Sequence, residues 1–365
     1  MPRKETCNCE PTRMIAAQTT REAGYRMPAE WERHEATWLS WPKNPLTFPP
    51  EVIEEVEGVF AKMIAALSHG ERAKVLVEDE EMERRMLRKS IEQGADAKNV
   101  IPMRIRSSDV WIRDYGPTFV RQQMTGEMAA VKWRFNAWGG KYDDLMYDDI
   151  AGEDVVRSTE MPIFRPGIVM EGGSIDVNGL GSVLTTEQCL LNKNRNPHLD
   201  RKGIENYLEE YIGAPNVIWL KSGIEGDDTD GHVDDFARFV SSDRVLCSYS
   251  QSKVTSNGAV LKVNLDILRR SVDQEGKALQ VDKLPMPKPL WLEEEGRYLP
   301  ASYANFYIGN ECVLLPVFKD RSDKKAIELM TGAFPERRVV PIYAAELVYG
   351  YGGIHCVTQQ EPVGN

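Results

Sequence analysis

The sequence predicts a mixed α/β fold assembled from a divergent repeat, and three observations carry that expectation. A short strand, a polar loop and a β-hairpin follow one another several times along the chain. Amphipathic helices fall between these units, and compact turn signals such as Asn178-Gly179 and Gly309-Asn310 close the hairpins. The units recur roughly 55–70 residues apart, somewhat longer than ordinary propeller blades. Units of this kind pack around a central axis with their loops gathered at one end, where sites are commonly built. A doubly wound sheet is the rival, weakened because hairpins outnumber βαβ crossovers.

In chain order, residues 1–24 lack an apolar period and read as a flexible tail. Its Cys7-Asn8-Cys9 offers a soft metal only two ligands on a loose segment, a poor site. Residues 25–365 read as one catalytic domain. Trp31, Trp38 and Trp41 form a Trp-rich entry that anchors a core or an interface. Exposed, it points to a homodimer. Residues 51–68 carry Val52, Val56, Val59, Phe60, Met63 and Ile64 on one helical face and stop at His69-Gly70. A strand over 74–78, a helix over 80–93 and a strand over 100–106 follow. The repeat then supplies hairpins turning at Thr125-Gly126, Asn178-Gly179, Ser242-Asp243 and Gly309-Asn310, with strands over 217–221 and 338–343. Helices are expected over 204–212, 259–272 and 324–334.

The last strand feeds Gly350-Tyr351-Gly352-Gly353-Ile354-His355-Cys356, where glycines free the backbone and leave room for a ligand beside a thiol. A buried structural cysteine is the rival reading. Three other loops each supply reactive side chains: Asp114 after Trp111, Glu171 before Gly172-Gly173, and His232 with Asp234. Read as an extended segment, His232-Val233-Asp234 puts both side chains on one side. Each residue also has a structural reading, as a turn cap, a solvated acid or a satisfied core histidine.

Composition narrows the partners. The 45 basic and 56 acidic side chains leave a net charge of −11, which disfavours nucleic acid and anionic membranes and suits a small cation. No apolar run reaches bilayer length, and the six cysteines include no CxxC pair. A reduced, cytoplasmic setting is the expectation. Walker A, Rossmann and HExxH patterns are missing, the Asp227–Asp234 acids fail EF-hand spacing, and five scattered histidines disfavour a metal centre. No cofactor and no metal are expected. One thiol, one imidazole and several carboxylates suit a planar guanidinium held by bidentate charge-assisted hydrogen bonds. The thiolate attacks the guanidinium carbon, and the imidazole protonates ammonia and then activates water.

These residues resemble the agmatine deiminase (agmatine iminohydrolase) family of the guanidine-modifying superfamily that includes peptidylarginine deiminases. The resemblance spans residues 27–360. It is carried by Met27-Pro28-Ala29-Glu30-Trp31, residues 111–117, 135–142, Glu171-Gly172-Gly173-Ser174-Ile175, 190–197, 228–234, 301–307 and 352–360. It implies a five-bladed α/β propeller (pentein) of pseudo-fivefold ββαβ units. It also implies cofactor-free conversion of agmatine and water to N-carbamoylputrescine and ammonia, feeding putrescine synthesis. By the same resemblance Cys356 is the nucleophile, His232 the general acid and base, and Asp114 with Asp234 the guanidinium clamp. Glu171 binds the guanidinium and orients His232, while Trp111 and Gly353 line the substrate site. Asp235 departs from the family pattern, where relatives often have Asn, as does Tyr351, where many have Gly. Both bear on pocket shape or loop mobility.

Deimination of arginine, free or in peptides, is the alternative within the same chemistry. An amidinotransferase would pass the amidino group to an amine instead of water. A non-enzymatic interaction scaffold would predict no thiol reactivity.

Overall fold

A computed structural model describes residues 19–364. Five sheets share one pairing rule: an antiparallel strand pair gains a further strand in parallel. The pair Asp176–Val177 and Ser182–Thr186 gains Asn216–Leu220. Ala237–Phe239 and Arg244–Tyr249 gain Gln280–Pro285. Tyr307–Ile308 and Cys312–Val317 gain Arg338–Tyr343. Thr118–Gln122 and Met128–Val131 gain Ile163–Phe164, with Tyr25–Arg26 on the outer edge. The remaining sheet joins the two ends of the chain. Gln359–Pro362 lies antiparallel to His34–Ser40, which gains Arg72–Val77 and then Val100–Arg104 in parallel.

Each parallel step crosses through helix, as parallel pairing requires. The crossing helices are Ile53–Leu67, Asp148–Ser158, Arg201–Ile212, Asn257–Leu268 and Asp323–Ala333, with Glu80–Glu92 serving the fourth strand of the end-joining sheet. This is a ββαβ unit met five times, the count that a fivefold α/β arrangement needs. Helix Ile53–Leu67 shows the packing: Val56, Val59, Phe60, Met63 and Ile64 are buried along the stripe that its periodicity predicts. Burying each such side chain contributes about 1.5–3 kcal/mol.

Four expectations change. The strand–loop–hairpin unit straddles two sheets, because the leading strand belongs to the preceding one; the polar loops are therefore inter-sheet connections. Trp38 and Trp41 are fully buried within strand His34–Ser40 and its exit, so they anchor the core and no longer argue for a dimer. The tail expected over 1–24 falls on residues outside the described part up to 18, Cys7 and Cys9 included. Residues 19–24 are tied to the fold through Thr20, which is buried and whose hydroxyl donates to the Glu210 carbonyl at 2.9 Å, while Arg21 and Glu22 are exposed. Helix Asp148–Ser158 is new. Its interior Gly152 weakens helix propensity, yet a Cβ there would collide with the Tyr115 carbonyl. A two-stranded hairpin, Leu290–Leu292 with Arg297–Leu299, lies outside the repeat.

Candidate active site

Five inter-sheet loops deliver the site. Residues 105–117 carry Asp114 on the one-turn helix Ile112–Tyr115; residues 165–175 carry Glu171. Residues 221–236 carry His232 and Asp234, residues 300–306 carry Asn305, and residues 344–358 carry Cys356. Cys356 is 5% exposed, Asp114 4%, His232 1%, and Glu171 and Asp234 0%. Gly173 marks their convergence. A Cβ there would stand 2.5 Å from His232 Nδ1, 2.9 Å from Asp114 Oδ1 and 3.1 Å from Asp234 Oδ2.

Asp114 has both carboxylate oxygens tied to protein, whereas Glu171 and Asp234 each have one. Asp114 Oδ2 accepts from Trp138 Nε1 at 2.9 Å, and its Oδ1 accepts from the Gly173 N–H at 3.0 Å. Trp138 holds φ +52° next to Ala137 at φ +49°, two non-glycine residues in the left-handed region that aim the indole at Asp114. Glu171 Oε1 accepts from Arg195 Nε at 2.5 Å, and Arg195 also reaches Asp230 at 2.8 Å. Asp234 Oδ2 accepts from His355 Nδ1 at 2.6 Å and lies 3.8 Å from the Cys356 thiol. The thiol itself accepts from Asn305 Nδ2 at 3.1 Å.

The other atoms of these groups are left over. Six buried side-chain nitrogen or oxygen atoms among the described residues lack a hydrogen-bond partner, and four of them are Glu171 Oε2, Asp234 Oδ1 and both ring nitrogens of His232. Buried polar groups without partners are rare because desolvating them is costly. Their clustering beside one thiol marks a place prepared for a polar ligand.

Electrostatics agree. Burial pushes the Cys356 thiol well above its ordinary pKa, and Asp234, Asp235 and Asp114 push it further, against a Gly353 backbone N–H that favours the thiolate. Burial opposes a charged His232, but Asp114, Cys189 and Glu171 outweigh it and hold the imidazolium. Burial lifts Asp114 to about 6, helped by Asp234 and Glu171 and countered by His232 and Trp138. Asp234 stays below the usual carboxylate range although buried, because His355, His232 and Arg238 offset the desolvation. Burial, then Asp234 and Asp227, push the Asp235 carboxyl well above the usual carboxylate range, and its Oδ1 accepts from Asn305 Nδ2 at 2.9 Å.

A cavity of about 480 Å³ opens onto this floor, with Trp111, Asp114 and Cys356 in its wall. Tyr142, Tyr351 and the carboxylates Asp144, Asp228 and Glu295 line it further out, and among the described residues no Lys or Arg does, although Arg297 stands 3.8 Å from Asp228. Glu171, His232 and Asp234 sit behind this wall, as does Gly353, whose place in the lining is taken by Gly352. Tyr351 has φ +69°, bonds Glu295 through its hydroxyl, and stacks under Arg297 at 4.1 Å.

Two expectations about geometry are corrected. His232 precedes the 3₁₀ turn Val233–Asp235 instead of lying in an extended segment, because Asp227 Oδ2 gathers the Gly231 and His232 N–H groups at 2.7 and 3.1 Å. Glu171 makes no hydrogen bond to His232; Arg195 takes one oxygen, and the carboxylate nearest the ring is Asp114, at 3.8 Å. Two trios, Glu171 with Cys189 and His232, and Asp234 with Asp235 and Cys356, bring ligand-type atoms within 4.8 Å of one another. In the first, Arg195 holds Glu171 Oε1 and leaves Oε2 without a hydrogen bond; in the second, His355 holds Asp234 Oδ2 and Asn305 the thiol, leaving Asp234 Oδ1 without one.

Sequence reasoning overlooked His355, Asn305, Glu30, Trp138 and Arg195. Signals existed: His355 directly precedes Cys356, and Asn305 opens the one hairpin to which no reactive residue was assigned.

Fold and floor together place the chain among proteins that set a buried thiol against an imidazole and carboxylates on a mixed α/β repeat. A family model described as Porphyromonas-type peptidyl-arginine deiminase matches residues 26–362, and the chain belongs to that family. It is 37% identical to a Legionella pneumophila protein that carries agmatine deiminase as a provisional name, covering 94% of this chain and 96% of that one. The solved structure of an agmatine deiminase of Enterococcus faecalis catalysing its reaction is 33% identical with a TM-score of 0.87, covering 96% of this chain and 99% of that one. A C. jejuni agmatine deiminase with substrate bound is 28% identical with a TM-score of 0.82, covering 93% and 97%.

Proposed function

We propose that this protein is an agmatine deiminase, a hydrolase that converts agmatine and water to N-carbamoylputrescine and ammonia, a product suited to putrescine synthesis. The observation that carries the reading is the set of unpartnered buried atoms, Glu171 Oε2, Asp234 Oδ1 and both His232 nitrogens, beside Cys356. A planar guanidinium supplies N–H donors for those oxygens, and its charge offsets the crowding of carboxylates.

Burial raises the thiol pKa most, but the bound cation counters the carboxylate repulsion that raises it further, so substrate helps generate its own nucleophile. The Cys356 thiolate attacks the guanidinium carbon, and the Gly353 N–H steadies the sulfur. His232, held as imidazolium, gives its proton to the departing ammonia, leaving an amidino-thioether on Cys356. The neutral imidazole then takes a proton from water as it attacks that carbon, and collapse returns the thiol and releases the carbamoyl product.

Choice among guanidines follows from the cavity wall. A wall with Asp144, Asp228 and Glu295 and, among the described residues, no Lys or Arg favours a distal ammonium and repels an α-carboxylate. That favours agmatine over arginine. Residues 25–364 form one catalytic unit in this reading, in the cytoplasm, where Cys189, Cys247, Cys312 and Cys356 stay unpaired as they are here. No helix among the described residues is long and apolar enough to cross a membrane. Ammonia release from agmatine, free arginine and a blocked arginine peptide, run beside Cys356→Ser, tests the proposal. Turnover of agmatine abolished by the substitution supports it. Preference for arginine or the peptide moves the substrate, and no activity on any guanidine overturns the reading.

A further inference from the structure

We infer that His355 is a positioning residue for the reaction: its ring fixes Asp234 so that a single carboxylate oxygen faces the guanidinium. The inference rests on the deiminase reading. His355 is 2% exposed, and both ring nitrogens meet carboxylates, Nδ1 at 2.6 Å from Asp234 Oδ2 and Nε2 at 2.7 Å from Glu30 Oε2. Both carboxylates are themselves buried, so each ring nitrogen is matched to one carboxylate oxygen away from solvent.

The far end of this relay is anchored more firmly than the near end. Glu30 Oε1 accepts from Arg238 at 2.9 Å and from the Ile308 N–H at 2.9 Å, and Arg113 approaches Oε2 at 3.5 Å. The His355 backbone is fastened too, its N–H donating to Asn305 Oδ1 at 2.8 Å and its carbonyl accepting from Arg113 Nε at 3.3 Å. Asp234, by contrast, has no hydrogen bond on Oδ1. With Oδ2 tied, the carboxylate cannot rotate to offer its other edge, and the thiol 3.8 Å from Oδ2 keeps a fixed neighbour. Without His355, Asp234 Oδ2 would keep only the Cys356 thiol at 3.8 Å and Oδ1 would still have no hydrogen bond, so the carboxylate would be free to turn or take up a proton.

Two substitutions separate the two halves of the ring. In His355→Asn the amide N–H₂ stands near the place of Nδ1 and still donates to Asp234; in His355→Gln it reaches toward Glu30 instead. We expect kcat/KM on agmatine to fall by about tenfold in His355→Asn and by about 100-fold or more in His355→Gln, the scale set by small misplacement of reacting groups. A purely structural role through Glu30 predicts the reverse order. The pH profile adds a readout that loss of packing would not move. His355 favours the charged form of Asp234, so His355→Gln should shift an acid limb of kcat/KM to higher pH, while His232, Arg238, Asp114, Asp235, Asp227 and Cys356 stay in place around it. Equal damage in the two variants, or an unmoved acid limb, overturns the inference. Crystal structures of the two variants test it without turnover: Asp234 held in place in His355→Asn and turned in His355→Gln is expected, and an unmoved Asp234 in both is fatal to it. Failure of wild-type protein to act on guanidines sinks the deiminase reading, whereas the variant structures bear on the relay alone.

Discussion

Two imidazoles flank Asp234, and they are provisioned in opposite ways. His355 spends both nitrogens on carboxylates, at 2.6 and 2.7 Å; His232 has no hydrogen bond on either nitrogen, only the Asp114 carboxylate 3.8 Å from Nδ1, although it is just as buried. A buried ring with full hydrogen bonding is fixed and holds its neighbours. A buried ring with none carries a standing desolvation penalty, tolerable only if a ligand supplies the missing partners. The difference separates scaffold from chemistry more sharply than burial or residue type does.

The largest effects should come from the unpartnered side of this comparison. Cys356→Ser should lower kcat by at least about 10⁴-fold while agmatine still binds, measured by ammonia release and calorimetry. His232→Gln should lose about 10²–10⁴-fold in kcat, the range of general acid–base catalysis, with an unchanged melting temperature. Stability gained by filling the orphaned site with an amide would sharpen the contrast with His355.

Asp114→Asn should lose about 10²–10³-fold in kcat/KM, as for other groups that stabilise charge in a dry site. Its pH behaviour has a definite sign. Asp114 is lifted to about 6 by burial, so below that pH the free enzyme carries a neutral acid and the clamp weakens. Wild-type kcat/KM should rise as pH passes upward through about 6, and that limb should be missing in Asp114→Asn. Stability runs the other way, since a raised carboxyl pKa contributes most below the unfolded value near 3.8 and is lost as pH rises through about 6.

Gly173→Ala tests convergence with one methyl group. Its Cβ would sit 2.5 Å from His232 Nδ1, and a loss of about 10²-fold in kcat from misplacement is the expected outcome. The smallest effect belongs to the cavity mouth. Tyr351→Gly relieves a positive φ and cuts the links to Glu295 and Arg297, so KM for agmatine should change only a few-fold. A large drop in kcat there would mean that the hairpin 290–299 does more than border the mouth.

Much of the site was legible from residue types on recurring loops. The loops holding Asp114, Glu171, His232, Asp234 and Cys356 were recognisable because turn glycines and polar runs interrupt strand patterns locally. His355 was hidden beside the cysteine, since nothing in a linear reading says that its partners lie on the segments of Glu30 and Asp234. Asn305 looked like a strand entrance for the same reason. Trp38 and Trp41 could serve core or surface until strand Gln359–Pro362 was seen to pair with His34–Ser40.

The amino-acid sequence by itself determined the chemical inventory, the hairpin turns and the helical stripes, because these rest on side-chain identity and on backbone preferences a few residues long. Only the tertiary structure decided that the chain's last strand closes its first sheet, which oxygen of each acid is tied, and which imidazole is left without partners. Those outcomes depend on contacts between residues far apart in the chain, and hydrogen-bond satisfaction is a property of the assembled neighbourhood, which no single stretch encodes.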